Sequence, residues 1–154
     1  MTRHELTLFA DYHQFYIQDE AADGDLSESW TADAELSLVA VAPGTVGVGT
    51  ARNVDVPVTI EISATEPDSD FAAFDPVVDC SIAIQSGTLV AAGCTDYFPE
   101  AARFPLAPGT YRVRVCFSGL DSLSADGLDG DDAYRLVLWP GEPMIPVVLK
   151  QRGT

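Results

Sequence analysis

The stretch that decides the fold is Val54-Asp55-Val56-Pro57-Val58-Thr59-Ile60-Glu61-Ile62. Its even-numbered residues are all β-branched and apolar, whereas its odd-numbered residues are polar or proline. Because side chains along a strand alternate between two faces, this pattern predicts a β-strand with one buried face. Proline cannot donate a ladder hydrogen bond, so Pro57 favours an edge position for this strand.

Four further stretches have strand-like apolar patterns: residues 78–84, 111–117, 134–139 and 145–149. Arg112, Arg114 and Arg135 fall on the polar faces of two of them, which predicts that these arginines point to solvent. Pro146 favours an edge position for the last strand. Residues 85–88, Gln-Ser-Gly-Thr, predict a hairpin turn into a strand at residues 89–92.

The opening segment changes its apolar phase within one strand-like run. Leu6 and Leu8 mark one face, whereas Phe15 and Ile17 mark the other. The change near residues 12–14 predicts a β-bulge or a strand that bends between two sheets.

One short helix is predicted near residues 31–40. Thr31 can cap its N-terminus, and acidic side chains in the first turn suit the helix dipole. Its buried side would be Leu36, Val39 and Ala40, and Ala-Pro-Gly at residues 42–44 would end it.

Long acidic connections at residues 19–28, 66–75 and 121–132 separate the strands, and no strand–helix–strand rhythm is present. This organisation predicts an all-β fold, a single antiparallel β-sandwich over residues 1–154 with one short helix. The predicted core comprises Leu8, Phe15, Ile17, Val56, Val58, Ile60, Ile82, Val113, Val115, Leu136 and Leu138.

Composition excludes several classes of function. The 154 residues are 47% hydrophobic, which is too apolar for a disordered chain, and the net charge is −16. That charge repels phosphate groups, so we expect no nucleic-acid partner and no binding to anionic membranes. The sequence shows neither a signal peptide nor a membrane-spanning apolar run, and its three cysteines are widely spaced. These features predict a cytoplasmic protein with reduced thiols; a Cys80–Cys94 disulfide would require residues 78–84 and 88–93 to form a hairpin.

Residues 121–132 hold five aspartates and two glycines, a composition that suits a calcium ion. Asp126, Asp129, Asp131 and Asp132 are the candidate ligands, although their spacing is not that of an EF-hand. The alternative is a solvated loop that binds no metal. Two histidines without paired cysteines argue against a zinc site, and no cofactor is expected.

No catalytic signature is present. A nucleophilic mechanism would need Cys94 or a serine beside His13, and nothing in the sequence places them together. The glycine-rich residues 44–49 lack the Gly-Lys-Ser/Thr of a phosphate loop and predict a turn and a crowded strand instead. We therefore predict that the protein is not an enzyme.

The remaining class of function is binding to another protein. If the strand arginines pair with Glu61 or Asp79, the acidic loops are left to attract a basic protein such as a nuclease or toxin. The candidate contact residues are Asp19, Glu20, Asp23, Asp25, Asp121, Asp126, Asp129, Asp131 and Asp132, with Tyr12, Tyr16 and Trp30 as aromatic anchors. Two alternatives stay open: acidity that only keeps the protein soluble, and a calcium-dependent ligand-binding module.

Three groups of residues together carry a family resemblance. They are residues 11–16 (Asp-Tyr-His-Gln-Phe-Tyr), Trp30-Thr31 with Arg52-Asn53, and residues 106–111 (Leu-Ala-Pro-Gly-Thr-Tyr) with Asp132 and Tyr134. In order and rough spacing they resemble the competence protein J family over about residues 6–138, whereas the long connections and residues 140–154 depart from it. The sequence is also similar to uncharacterised bacterial β-proteins that carry "A-D-Y-x-Q-F-Y" and "G-L-D-G-D-D".

Characterised members of the competence protein J family inhibit a DNA-entry nuclease and are expected to be compact β-proteins. The resemblance therefore implies a nuclease inhibitor or an immunity-like protein. In such a protein an acidic surface would block the active site of the nuclease.

Overall fold

The computed structural model describes residues 2–68 and 70–152, so the ends of the predicted domain, Met1 and Thr154, lie outside the described residues. Two sheets are present. The strands are β1 Thr2–Phe9, β2 Gln14–Asp19, β3 Val39–Ala42, β4 Thr45–Gly49, β5 Asp55–Ile62, β6 Val77–Ile84, β7 Thr88–Gly93, β8 Ala102–Pro105, β9 Gly109–Ser118, β10 Ala133–Pro140 and β11 Val147–Lys150. The six-stranded sheet has the order β1-β5-β10-β9-β6-β11, and the five-stranded sheet has the order β3-β4-β2-β7-β8. The predicted all-β sandwich with one short helix is confirmed.

The alternating stretch at residues 54–62 forms β5, but it does not lie at an edge. It pairs antiparallel with β1 and parallel with β10, the one parallel pair in a sheet that is otherwise antiparallel through the described residues. Pairing with β10 begins at Val58, so Pro57 precedes the segment that needs hydrogen bonds on that side. The proline marks where the second pairing starts rather than an edge strand. The edge position predicted for the last strand is confirmed, since β11 pairs only with β6.

The core lies between the two sheets. All eleven residues of the predicted core are buried in the main hydrophobic cluster. Phe15 and Phe117 contact the ring of Tyr134 edge-on, with ring centroids 5.8 and 5.9 Å apart respectively. Such aromatic pairs favour this geometry over stacking face to face. The alternation of apolar residues therefore predicted the inward-facing side chains correctly.

The predicted bend between two sheets is confirmed at residues 11–13. A 3-10 turn, Asp11–His13, joins β1 of one sheet to β2 of the other. The apolar pattern changes phase here because Leu8 lies in one sheet and Phe15 in the other, and both side chains face the core.

The predicted hairpin at residues 85–88 is wrong. β6 belongs to the six-stranded sheet and β7 to the five-stranded sheet, so the turn carries the chain across the sandwich. A buried carboxylate supports this crossing: Asp19 at the end of β2 accepts hydrogen bonds from the backbone N–H of Ser86, at 3.0 Å, and from its hydroxyl. Without the hairpin, the geometry invoked for a Cys80–Cys94 disulfide is absent, and both cysteines are free.

Helix α1, Ala32–Ser37, is shorter than predicted, and its buried side differs. The Thr31 hydroxyl accepts a hydrogen bond from the Ala34 N–H at 3.2 Å, which confirms the cap. The helix ends at Leu38, which adopts a left-handed conformation with φ 65°. Leu36 is 82% exposed, and the helix buries Ala34 instead. No helix among the described residues is long and apolar enough to span a membrane.

Val39 and Ala40, predicted as helical, are buried in strand β3. The residues at 42–44 form the turn between β3 and β4 rather than the end of the helix. Two β-branched valines close together in Val39–Ala42 favour this extended conformation over a helix.

The strand arginines do not all point to solvent. Arg114 is only 4% exposed and makes two hydrogen bonds to Asp79, at 2.8 and 2.9 Å. Arg135 binds buried Glu61, and Arg112 donates to the carbonyl oxygen of Glu142. The predicted pairing with Asp79 and Glu61 is therefore present. At Arg114 the ion pair is buried, because the connection before β6 covers that face of the sheet. The Phe71 ring of this connection lies 5.2 Å from the guanidinium.

The three thiols differ in accessibility, and this predicts selective labelling. Burial raises the pKa of Cys80 to about 12 and that of Cys116 to about 11, whereas Cys94 is exposed. Thiolate is the reactive species, so at pH 8 we expect a thiol reagent to modify Cys94 alone in the native protein and all three cysteines after denaturation. Mass spectrometry of the labelled chain measures this. The Cys94→Ser variant should remain unlabelled, and labelling of Cys80 at the rate of Cys94 would contradict the burial.

Candidate functional site

Asp19, which begins the first acidic segment, and the acidic segment at residues 119–132 lie at opposite ends of the sandwich. Residues 119–132 connect β9 to β10 at the end where β6 begins. Asp19 bonds to Ser86, just beyond the other end of β6, and an eight-residue strand spans roughly 25 Å. Asp19 is also only 3% exposed, so it cannot contact a partner as predicted. Its neighbour Glu20 pairs with Arg103 at 2.8 Å.

Residues 119–132, which we name the acidic loop, are ordered by serine hydroxyls. Ser124 donates to the Asp126 carboxylate at 2.6 Å and accepts from the Asp129 N–H at 3.0 Å. Ser122 accepts from the Asp131 N–H at 2.7 Å. The Ser124 hydrogen bond lowers the pKa of Asp126, as does the backbone N–H of Leu128. The loop therefore presents Asp126, Asp129 and Asp131 exposed and in a defined arrangement.

Asp132, predicted as a contact residue and a calcium ligand, is buried, and its side chain anchors the acidic loop to the core. Its carboxylate pairs with Arg52 at 2.5 Å and accepts a hydrogen bond from the Tyr134 hydroxyl at 2.7 Å. The Tyr134 hydroxyl in turn accepts from the Ala51 N–H at 2.8 Å. Burial raises the pKa of Tyr134, and its hydrogen bond to Asp132 raises it further. We call Arg52, Asp132 and Tyr134 the buried triad; it joins the acidic loop to residues 50–54.

The turn at residues 11–13 is held against residues 50–54 in a strained conformation. Tyr12 and His13 both have positive φ, at 61° and 57°. Such non-glycine conformations cost on the order of 1–3 kcal/mol each and persist where the surroundings hold them. Here the His13 carbonyl accepts from the Thr50 N–H at 2.8 Å, and its N–H donates to Asn53 at 3.2 Å. The result is that Tyr12 stands 71% exposed, as an aromatic anchor would.

We name the turn at 11–13, residues 50–54 and the acidic loop together the acidic end. Asp121 belongs to it and pairs with Arg152 at 2.8 Å on an exposed surface. Arg52 and Asn53 were noted in the sequence only as part of the family resemblance, yet they hold this end together. Their adjacency in the sequence was the one available signal, since the contacts join residues 40 and 80 positions apart.

Every lysine and arginine of the chain is already engaged within it. Arg3, Arg52, Arg103, Arg114, Arg135 and Arg152 pair with carboxylates, while Arg112 and Lys150 donate to backbone carbonyl oxygens. The chain has 8 basic against 24 acidic residues, so most carboxylates lack an internal counter-ion. Across residues 2–68 and 70–152, no cation lies within 4 Å of Asp126, Asp129 or Asp131.

The candidate calcium ligands do not converge. Within the described part of the chain, no group of three or more histidine, cysteine, aspartate or glutamate side chains is arranged to hold a metal ion. Asp132 is turned inward to Arg52, while the Asp126 carboxylate is held by Ser124 in its own loop. Asp126 and Asp132 therefore make separate contacts.

A second concave surface, which we name the outer groove, lies on the outward face of the five-stranded sheet and has a volume of about 420 Å³. Its floor is formed by Gln14, Tyr16 and Gln18 of β2, whose intervening residues face the core. One wall is formed by residues 22–27 with Trp30, and Cys94 and Phe98 stand opposite. Three predicted contact residues, Asp23, Tyr16 and Trp30, thus meet here. Asp25 is exposed in the same segment but does not line the groove.

Gly47 allows the wall of the outer groove to pack closely on the sheet. It lies opposite Tyr16 on β4, and a Cβ atom there would come within 2.7 Å of Leu26 and 3.1 Å of Trp30. The absence of a side chain lets both residues pack on the sheet. The Trp30 indole N–H then donates to the Gln14 side-chain oxygen at 3.0 Å, which fixes the ring. The crowded strand predicted from the glycines is β4.

Cys94 is not an activated nucleophile. Burial raises the pKa of its thiol, and the carboxylates of Asp11 and Asp96 raise it further. A catalytic cysteine needs the opposite, an environment that favours the thiolate.

Comparison with solved structures identifies two related folds. ComJ of Bacillus subtilis, an inhibitor of the DNA degrading activity of NucA, superposes with a TM-score of 0.69 at 16% identity, covering 90% of this chain and 96% of ComJ. The chain has a ComJ-like fold. Crocagin biosynthetic gene J superposes with a TM-score of 0.60 at 18% identity, covering 92% of this chain and 100% of the other. No family model matches the sequence, and no curated protein matches it significantly.

Proposed function

We propose that this protein is a non-enzymatic, nuclease-inhibitor-like protein whose acidic end binds and sequesters a basic protein partner. The observation that carries the proposal is the exposed set Asp126, Asp129 and Asp131, ordered by its own loop and without a counter-ion. In this proposal the three carboxylates occupy the phosphate-binding site of a nuclease or toxin. Dense charge of one sign accelerates capture of an oppositely charged protein by about 10–1,000-fold.

The ComJ-like fold supports this proposal, because ComJ inhibits a nuclease. The acidic end also offers what a binding surface needs besides charge, an exposed aromatic side chain at its rim. Tyr12 is held there by a strained turn, and strained residues of this kind concentrate at functional sites.

The triple variant Asp126→Asn/Asp129→Asn/Asp131→Asn tests the proposal. Exposed ion pairs contribute about 0.2–1 kcal/mol each, so we expect the dissociation constant of the complex to rise about 10-fold. The measurement is inhibition of the degradation of linear DNA by a basic nuclease, at low salt and again at high salt. Inhibition by the unaltered chain should weaken as salt rises.

A matched control removes the same charge elsewhere. The Glu5→Gln/Asp68→Asn/Glu142→Gln variant neutralises three exposed carboxylates on β1, on the connection before β6 and after β10. We expect its inhibition to change by less than about threefold, since these charges lie outside the acidic end. Equal loss in both variants, or no inhibition by the unaltered chain, would count against the proposal.

A further inference from the structure

The outer groove has the composition of a site for a guanidinium group. We propose that it receives one arginine side chain of the basic partner, an inference that rests on the proposed function and names a second contact beside the acidic end. Three features of the molecule support this: aromatic walls, carboxylates without counter-ions, and internal arginines that already bind aromatic rings and carboxylates together.

Aromatic side chains form three sides of the groove: Tyr16 from the floor, Trp30 from one wall and Phe98 from the other. A cation within about 6 Å of an aromatic ring is attracted by the ring's negative face, and arginine makes this contact most often. The Trp30 ring is held in place by Gln14 and by close packing over Gly47. The site is therefore preorganised, which reduces the entropic cost of binding.

One carboxylate lines the outer groove and two more lie near its Cys94. Asp23 lines it, and Asp11 and Asp96 lie near enough to Cys94 to raise the pKa of its thiol beyond the effect of burial. Asp96 is anchored at the end of β7, where it accepts a hydrogen bond from the Gly93 N–H at 2.8 Å. In the part of the chain that the structure describes, no basic side chain lies within 4 Å of these three carboxylates. The negative charge of these carboxylates therefore attracts a positively charged group that enters the groove.

The molecule already uses the same chemistry for its own arginines. The Arg103 guanidinium lies 5.1 Å from the centre of the Phe98 ring and donates to Glu20 at 2.8 Å. Arg114 lies 5.2 Å from both the Phe71 and the Trp139 rings. Arg103 does not line the outer groove, so its volume of about 420 Å³ is open to an arginine from outside.

Two-dimensional NMR of the full chain tests the inference directly, with N-acetyl-arginine amide as the probe. The chain has two tryptophans, and Trp139 is buried beside Arg114, so its indole signal serves as an internal control. We expect a saturable shift of the Trp30 indole signal in the millimolar range and none of Trp139. N-acetyl-citrulline amide has nearly the same shape without the charge, and we expect at least a 10-fold weaker response to it.

Two variants then distinguish binding of the probe in the groove from a general effect of the protein's negative charge. Asp23→Asn/Asp96→Asn should weaken probe binding about 10-fold, because Asp23 lines the groove and Asp96 lies near two of its lining residues, Tyr16 and Cys94. The Glu5→Gln/Asp68→Asn/Glu142→Gln variant removes more charge, yet should bind the probe within about twofold of the unaltered chain. Equal shifts with citrulline, or equal weakening in both variants, would overturn the inference.

Different experiments test arginine binding in the outer groove and nuclease inhibition by the acidic end, so either can be disproved without the other. The probe titration needs no nuclease, so it decides the groove even if no nuclease is inhibited. If the nuclease is inhibited, Asp23→Asn/Asp96→Asn should weaken inhibition about 10-fold, and unchanged inhibition would remove the groove from the interface. The acidic-end variant decides the proposed function independently of that result.

Discussion

Replacing Arg114 with methionine is expected to lower the free energy of unfolding by about 3–5 kcal/mol, because it leaves the buried carboxylate of Asp79 without its partner. Asp79 is 6% exposed, and both of its oxygens accept hydrogen bonds from Arg114. The guanidinium also lies between the Phe71 and Trp139 rings, and these contacts are lost with it. Denaturant unfolding measures the change, and the melting temperature should fall by about 6–20 °C for a domain of this size.

Two further variants give this prediction its controls. Arg152→Met breaks an exposed pair with Asp121 and should cost at most about 1 kcal/mol. Asp79→Leu/Arg114→Met removes both buried charges and should recover most of the lost stability, since an apolar pair can replace a buried ion pair. If the single and double variants are equally destabilised, lost packing rather than the unpaired carboxylate explains the effect.

Replacing Arg52 with methionine is expected to cost a similar amount, about 3–5 kcal/mol, and to loosen the acidic loop. The side chain of Asp132 is fully buried, and without Arg52 only the Tyr134 hydroxyl remains to bind it. Arg52 also donates to the carbonyl oxygen of Leu128, so the middle of the loop loses a contact as well. We expect faster amide hydrogen exchange throughout residues 119–131 together with the lower unfolding free energy.

Tyr134→Phe provides a graded comparison at the same place. It removes one hydrogen bond to Asp132 and leaves the Ala51 N–H without its acceptor, while the ion pair remains. The expected loss is about 1–3 kcal/mol, smaller than that of Arg52→Met. Unchanged exchange in the acidic loop of the Arg52→Met variant would show that the buried triad does not hold the loop.

The candidate site was predictable from the sequence only in part. Tyr12, Asp126, Asp129 and Asp131 were predicted as contact residues, and the structure leaves all four exposed. Asp19 and Asp132 were predicted with them, yet each is a buried acceptor. A carboxylate in an acidic loop has the same sequence pattern whether it faces water or an arginine elsewhere in the chain. Asp132 and Arg52 are 80 positions apart, and no local pattern records their contact.

The polar face of a strand illustrates the same limit. Alternation correctly placed Arg114 on the face of the sheet opposite to that of Val113 and Val115. However, not all of that outward face is exposed to solvent. The chain between β5 and β6 crosses it, and Phe71 packs on the guanidinium. Which loop covers which face depends on the path of the connections, and period-two patterning carries no information about that path.

By itself, the sequence determined the longer strands and their buried faces, because the alternation seen at residues 54–62 is imposed locally by the geometry of an extended chain. The short strands β3, part of which was predicted as helical, and β8 were not predicted. The sequence also determined the bend at residues 11–13 and the threonine cap of the helix, which are local as well. Only the tertiary structure decided that β5 lies inside its sheet beside a parallel neighbour, that β6 and β7 belong to different sheets, and that Asp132 supports the acidic loop from within. These features depend on pairing between distant segments, and pairing is set by the packing of the whole core rather than by any one stretch.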